Sequence, residues 1–394
     1  MACPDKSVWW CVWLVSVASV LCLGACALNF NTDPVDRPED VGTDPDAVDV
    51  GPESDAPDVV GDADGPDVVD EDVAEDLVEE ELFDPYAPIV HVSEDLLAFV
   101  SGLPIISDPS SFTEPGATRR SSWVGLLNHL MIGEYPDALD EAGFLGLELR
   151  VVDDTVSGRP FLVLWDTSRA EGIYVFDPEY VNPLVVQVPY PVREAGTLGE
   201  GVEVLRQAQG WALLVSGAGR CLMTDTVTCD GTTTACSMAA EPYRISDVAH
   251  NPDLIFHLVH RLLADRDSSS IIVQLQGQSD SSGALAILSD GTSIEDVASA
   301  SVGLRNSLSD SLRPDHPTYA DSIRSCNNAA DAGLYTSGCN MTNVQGRWTN
   351  GVTDPCNTAA TAASGRFVVM ELDADLRDSA VYEEVAAAVA TLFD

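Results

Sequence analysis

The chain has 394 residues, with 64 Asp and Glu against 19 Lys and Arg, a formal net charge of −45 and 45% hydrophobic residues. So large an acidic excess argues against nucleic acid and anionic lipid surfaces as partners. Lys6 is the only lysine, which removes lysine Schiff-base chemistry, Ser-Lys hydrolysis and the Walker A phosphate loop on residue type alone.

Residues 7–25 form an apolar run that ends in Leu23-Gly24-Ala25-Cys26, the pattern of a bacterial lipoprotein signal. It predicts a signal peptide over 1–25, cleavage between Ala25 and Cys26, and lipidation of Cys26. Positive charge before the run rests on Lys6 and the α-amino group and is opposed by Asp5, so an uncleaved anchor or ordinary secretion is the alternative. Either way the downstream domain is exported. Ala27, in place of an aspartate, points to the outer membrane.

The next segment, 26–84, reads as a disordered acidic tether. Between residues 31 and 84 there are 22 Asp or Glu against the single Arg37, with Pro, Gly, Val and Ala between them. Such a composition cannot bury enough apolar surface to offset chain entropy. It would span ~40 Å as a flexible coil and ~100 Å or more when extended by charge and proline. Asp62, Asp64, Gly65 and Glu71 echo an EF-hand loop, but Val60 and Pro66 break its ligand positions.

Residues 85–394 carry the folding pattern, with 41 acids against 17 arginines. Helical periodicity covers 121–131, 198–209, 252–264, 294–312 and 379–393. Apolar runs bounded by turn residues mark strands at 161–165, 173–176, 184–188, 211–215, 271–275, 284–288 and 367–372. From 184 onward strand and helix alternate, which predicts one α/β domain with a mixed, largely parallel sheet and helices on both faces. The part before 184 reads as a helix and a hairpin at its edge.

Six cysteines fall in this domain, at 221, 229, 236, 326, 339 and 356. An even number in an exported domain, with no CxxC pair, reads as three disulfides. The two clusters predict at least one bridge inside each.

In open α/β sheets chemistry gathers where strands end. The strand ends here offer Val188-Pro189-Tyr190-Pro191 with Glu194, then Gly217-Ala218-Gly219-Arg220, then Gln274-Leu275-Gln276-Gly277, then Met370-Glu371-Leu372. Glu371 interrupts an apolar strand. Burial would raise its pKa toward a general base's range, unless a salt bridge to Arg377 or Arg220 accounts for it.

These segments, with Ser246-Asp247-Val248-Ala249-His250-Asn251, Ser289-Asp290-Gly291-Thr292 and Asn343-Val344-Gln345-Gly346-Arg347, resemble bacterial zinc hydrolases related to N-formylglutamate amidohydrolases and, more distantly, zinc carboxypeptidases. The likeness runs over residues 184–377 and implies a phosphorylase/hydrolase-like fold. It implies metal-binding histidines where this chain has Tyr190 and Gln276, and a further histidine where it has Gly219. Of the implied ligand set only Glu194 remains. One carboxylate cannot hold zinc, which takes three protein ligands and a water. The resemblance therefore implies a degenerate site with no metal, with Glu371, Arg220 and His250 as vestigial catalytic residues and Glu194, Tyr190, Gln276 and Arg347 lining a binding cleft.

His257 and His260, three apart on one helical surface, could supply displaced ligands, though the apolar residues around them favour a packing role. Ser216 lacks the glycine that a nucleophile elbow needs at position 214, and Leu222 breaks a dinucleotide loop. The sequence thus points to an exported, lipid-anchored envelope protein, attached to the membrane by its lipid and binding or regulating through an envelope peptide or small-molecule ligand, with no cofactor. The alternatives are an active amidohydrolase or carboxypeptidase using zinc on displaced ligands, acting on N-acyl amino acids or cell-wall peptides, and a purely structural envelope protein.

Overall fold

The computed structural model describes residues 84–278, 282–335 and 338–394. The signal peptide, Cys26, the EF-hand-like stretch and all but the last residue of the acidic tether lie outside them. No described helix is long and apolar enough to cross a membrane.

The strands are β1 (His91–Glu94), β2 (Leu147–Asp154), β3 (Pro160–Asp166), β4 (Ile173–Phe176), β5 (Asn182–Val188), β6 (Gly210–Val215), β7 (Ile271–Gly277), β8 (Ala286–Ser289), β9 (Ile323–Ser325) and β10 (Phe367–Leu372). They form one sheet in the order β1-β2-β3-β4-β6-β5-β7-β10-β8-β9. The central run β6-β5-β7-β10 is parallel throughout, while β2/β3, β3/β4, β4/β6 and β10/β8 pair antiparallel. All seven expected strands are present. Three more, β1, β2 and β9, were not expected.

The helices are α1 (Leu96–Gly102), α2 (Ala117–Ile132), α3 (Tyr135–Leu145), α4 (Thr197–Gln207), α5 (Ile255–Arg266), α6 (Ala300–Leu312), α7 (Pro317–Ala320), α8 (Val344–Thr349) and α9 (Tyr382–Ala390). The helix expected over 294–312 begins only at Ala300, because the Ser299 side chain accepts the Val302 N–H and caps it there. That expected over 379–393 is helical from Tyr382 to Ala390 with short 3₁₀ turns on either side.

Strand side chains alternate between two cores, as the two-residue period demands. Leu184, Val186 and Val188 of β5, Val273 and Leu275 of β7, and Val368 and Met370 of β10 pack with residues of α4, α6 and α9. Val185, Ile272, Phe367 and Val369 pack with residues of α2, α3 and α5 on the other face. That second face turns polar toward the strand ends. Gln187 lies opposite Gln274, and Gln276 opposite Glu371.

The three disulfides are Cys221–Cys236, Cys229–Cys356 and Cys326–Cys339. One closes within each cysteine cluster, as expected, and the third ties the clusters together.

Candidate binding cleft

The cleft forms where the parallel strands end. Past β5 the chain turns through Tyr190 to Glu194; past β6 it reaches Arg220; β7 ends at Gly277; and Glu371 is the fifth residue of β10. Glu194, Arg220 and Glu371 line an open cavity of about 410 Å³, together with Arg193, Arg377 and Thr233. A second cavity of about 410 Å³ continues past Arg220 and Glu371 to His250, Tyr243 and Asn340.

Arg220 organises the floor. Its guanidinium carbon lies 3.8 Å from the centre of the Tyr190 ring, and its Nη1 donates to Glu194 over 3.4 Å. Its Nε stands 3.6 Å from Asp247 Oδ2, an ion pair too long for a hydrogen bond, so neither atom has a hydrogen-bond partner among the described residues. Beneath it the Tyr190 hydroxyl donates to Asp247 Oδ1 at 2.7 Å, and His250 Nδ1 meets the same oxygen at 3.1 Å. The Tyr243 ring stacks on His250 with centroids 3.5 Å apart. Burial alone would raise Asp247, but His250, Arg220 and Tyr190 together hold it below its ordinary value. A fixed cation sits beside a fixed anion, and its side chain lines the cleft.

The two cleft carboxylates behave differently from Asp247. Glu194 accepts the Gly277 N–H at 2.6 Å, yet burial outweighs that bond and the pull of Arg220 and lifts its pKa to about 7. Glu371 is also raised by burial, against the opposing effects of Asn340 and Arg220. Asn340 Nδ2 donates to Glu371 Oε1 at 2.5 Å. Neither arginine proposed as a salt-bridge partner for Glu371 takes that role: Arg220 turns to Glu194 and Asp247, and Arg377 donates to the carbonyls of Leu372 and Ala195. The Cys326–Cys339 bridge holds Asn340 in place beside Gly338, where a Cβ would stand 2.6 Å from Glu371 Oε2.

Three expected cleft residues lie elsewhere. Tyr190 is buried under Arg220. Gln276 is buried as well, its amide donating to Gln274, which donates in turn to Gln187. Arg347 is only 2% exposed and lines neither cavity, clasping both Asp230 oxygens and the carbonyls of Met341, Pro355 and Cys356. It braces the disulfide loops. Arg193, Arg377, Thr233 and Asn340 join the cleft instead, from loops whose convergence no sequence spacing announces.

His257 and His260 are buried in α5. His260 Nδ1 meets the Gln187 amide at 2.9 Å and its Nε2 meets Thr349 Oγ1 at 3.1 Å, so both nitrogens are taken; burial holds its pKa down to about 3. Zinc would need three protein donors and an open position. Tyr190 spends its hydroxyl on Asp247, Gln276 turns its amide nitrogen to Gln274, and the charge of Arg220 stands 3.4 Å from the remaining candidate, Glu194. This donor set does not fit zinc. Among the described residues, the trio close enough to share an ion is His129 near the end of α2, Glu134 in the turn after it and Asp137 in the first turn of α3.

Fold and cleft together define an α/β protein with a cationic, carboxylate-flanked cleft at the ends of its parallel strands. No protein-family model matches the sequence, and no curated protein matches it. Solved structures similar to it include a metallo-carboxypeptidase from Pseudomonas aeruginosa (12% identity, TM-score 0.31, 72% of this chain and 70% of that one). Others are a succinylglutamate desuccinalase from Vibrio parahaemolyticus (10%, 0.31, 62% and 76%) and a bacteriophage poly-gamma-glutamate hydrolase (13%, 0.27, 56% and 87%). Likeness at this level carries no argument about residues, so the chemistry follows from the cleft's own geometry.

The raised pKa of Glu194 has a consequence for stability. The folded state holds this proton up to about pH 7, whereas the unfolded chain releases it near the ordinary value of 4.5. Its contribution is therefore fully present below about pH 4.5 and is lost as pH rises to about 7, a swing of about 3 kcal/mol. Urea midpoints measured from pH 4 to pH 8 should fall more steeply for the wild type than for Glu194→Gln. Parallel curves would show that Glu194 ionises normally.

Proposed function

We propose that this chain is an exported, lipid-anchored envelope protein whose α/β domain derives from a zinc hydrolase and now binds carboxylate-bearing ligands without hydrolysing them. The observation that carries this reading is the Arg220 guanidinium, packed over Tyr190 and facing Glu194 where the sequence resemblance implies a metal. A metal would polarise a carbonyl and activate water. A guanidinium can hydrogen-bond a carbonyl but does not bind and acidify a water as a metal does, and it is the preferred partner for a carboxylate, through paired N–H donors. Arg193 and Arg377 add positive charge to the same cavity in a chain that is otherwise strongly acidic. Glu371, oriented by Asn340, offers an acceptor for an N–H of the ligand, as a peptide or acylated amine would present.

The anchor belongs to the same reading. Lipidation at Cys26 and the acidic tether would hold the domain away from the membrane, within reach of peptides and small acids of the envelope, most simply at the outer membrane.

The test uses residues 26–394 with Cys26→Ser, exported behind a general cleavable signal peptide to an oxidising compartment so that the three disulfides form. Elemental analysis after dialysis should find well under one equivalent of zinc. Calorimetry should detect binding of small carboxylates, and model amides should remain uncleaved. One tightly held zinc together with amide hydrolysis would overturn the proposal in favour of an active enzyme. Wild-type protein should incorporate a labelled fatty acid, and the Cys26→Ser variant should not; equal labelling of the two would overturn the lipid anchor.

A further inference from the structure

Beside the cationic cleft lies a third cavity, of about 360 Å³, and its character is different. Its walls are Ile105, Ile106, Val192 and Leu222, its floor is Gly219, and Arg193 and Arg220 line it as well as the cleft. The apolar channel therefore opens onto the same two guanidinium-bearing residues.

The channel is a built feature. Ile106 donates its N–H to the Gly217 carbonyl at 2.8 Å and pairs with Ala218 as a parallel β-bridge, which fixes one wall to the loop after β6. The Cys221–Cys236 bridge pins the far end of that loop. At Gly219 a Cβ would meet nothing within 4 Å, so the missing side chain leaves the floor open. Val192 is 62% exposed beside it. An exposed valine next to Arg193 gains nothing from water, and a hydrocarbon laid along it would remove its apolar surface from solvent.

We propose that this channel receives the hydrocarbon chain of an amphipathic carboxylate whose head is held by Arg220 and Arg193. The inference rests on the carboxylate-binding reading above and adds the chemistry of the rest of the ligand. Charge selects the head: a cationic amphiphile would bring its ammonium against two guanidinium groups. Apolar area selects the tail, each methylene buried being worth up to about a fourfold gain in affinity and about half that gain, on a logarithmic scale, along an open groove.

Calorimetry on the same signal-free protein would use acetate, butyrate, hexanoate, octanoate and decanoate, each below its aggregation threshold. Octylammonium serves as the charge-reversed control. Affinity should rise about twofold to fourfold per methylene until the channel is filled, and octylammonium should not bind. Gly219→Phe fills the floor, and Val192→Asp places a charge on the wall. Both sit where added atoms meet open space or solvent, so thermal melting should report folded protein, and both should flatten the chain-length dependence. A dependence equally steep in both variants would overturn the channel assignment. Binding of every acid at one affinity would overturn it while leaving the carboxylate site standing. Absence of binding for all five acids would overturn both readings.

Discussion

Replacing Arg220 with methionine should lower stability by about 3 kcal/mol at pH 8 and reduce carboxylate affinity at least about tenfold. The stem and volume are roughly preserved and the charge is lost. Glu194 and Asp247 would then both lose the cation that stands within ion-pair distance of each. Removing one partner of a buried ion pair costs more than the pair contributes, because the remaining charges stay desolvated. Asp247 keeps the Tyr190 hydroxyl and His250. Glu194 keeps the Gly277 N–H and the weaker pull of the Arg377 charge, and can relieve itself by staying protonated. Its folded pKa therefore climbs above its present value of about 7, and the stability loss should shrink as pH falls toward 5. Arg220→Lys separates charge from shape. A lysine ammonium supplies the charge but cannot stack flat on Tyr190 while reaching both acids, so it should recover part of the stability and little of the affinity. Urea titrations at pH 5 and pH 8, with calorimetry against hexanoate, measure both effects. An unchanged urea midpoint and unchanged affinity in Arg220→Met would mean that the guanidinium neither holds the floor nor meets the ligand.

The parallel centre of the sheet was readable in the sequence because burial on both faces writes itself as unbroken apolar runs, as in Leu184 to Val188 and Phe367 to Leu372. β2 was not, since Leu147-Glu148-Leu149-Arg150 alternates and carries charge on its half-covered face. β1, with His91, Ser93 and Glu94, is an edge strand whose side chains leave no apolar signature, and β9 has only three residues. α3 carried its signals openly, with Pro136 in its first turn, Gly146 at φ +70 closing it, and Ala138, Leu139, Ala142 and Leu145 at helical spacing between them, so this helix was legible in the sequence.

For the cleft, the rule that chemistry gathers at strand ends led to Glu194, Arg220 and Glu371, all of which line it. It could not say which strand-end residues face inward. Tyr190 and Gln276 follow the same alternation but are covered by the arginine and glutamine beside them. Arg347 was misplaced for another reason. Its partners Asp230, Pro355 and Cys356 come from loops brought together by a bridge between residues 127 positions apart, and no local pattern encodes that meeting.

That bridge should be the most costly of the three to remove. Closing a loop of 127 residues takes about 5 kcal/mol of chain entropy from the unfolded state, against about 3 kcal/mol for separations of 15 and 13. The Cys326–Cys339 bridge falls inside the long loop and shortens its effective length by only 13 residues, so the long bridge keeps nearly its full effect. The native state adds to the difference. Arg347 is buried and charged, and its nitrogens bond to Asp230 and the Cys356 carbonyl, the immediate neighbours of the two bridged sulfurs. With the bridge gone, these two loops are free to separate and leave the guanidinium uncompensated in the interior. The paired variant Cys229→Ser with Cys356→Ser should therefore lose at least about 5 kcal/mol in urea unfolding. Cys326→Ser with Cys339→Ser should lose nearer 3 kcal/mol and instead loosen Asn340 from Glu371, weakening the ligand's N–H contact more than the fold. Equal urea midpoints for the two paired variants would show that neither the long loop nor the Arg347 brace distinguishes the bridges, and that the domain is held together by its sheet alone.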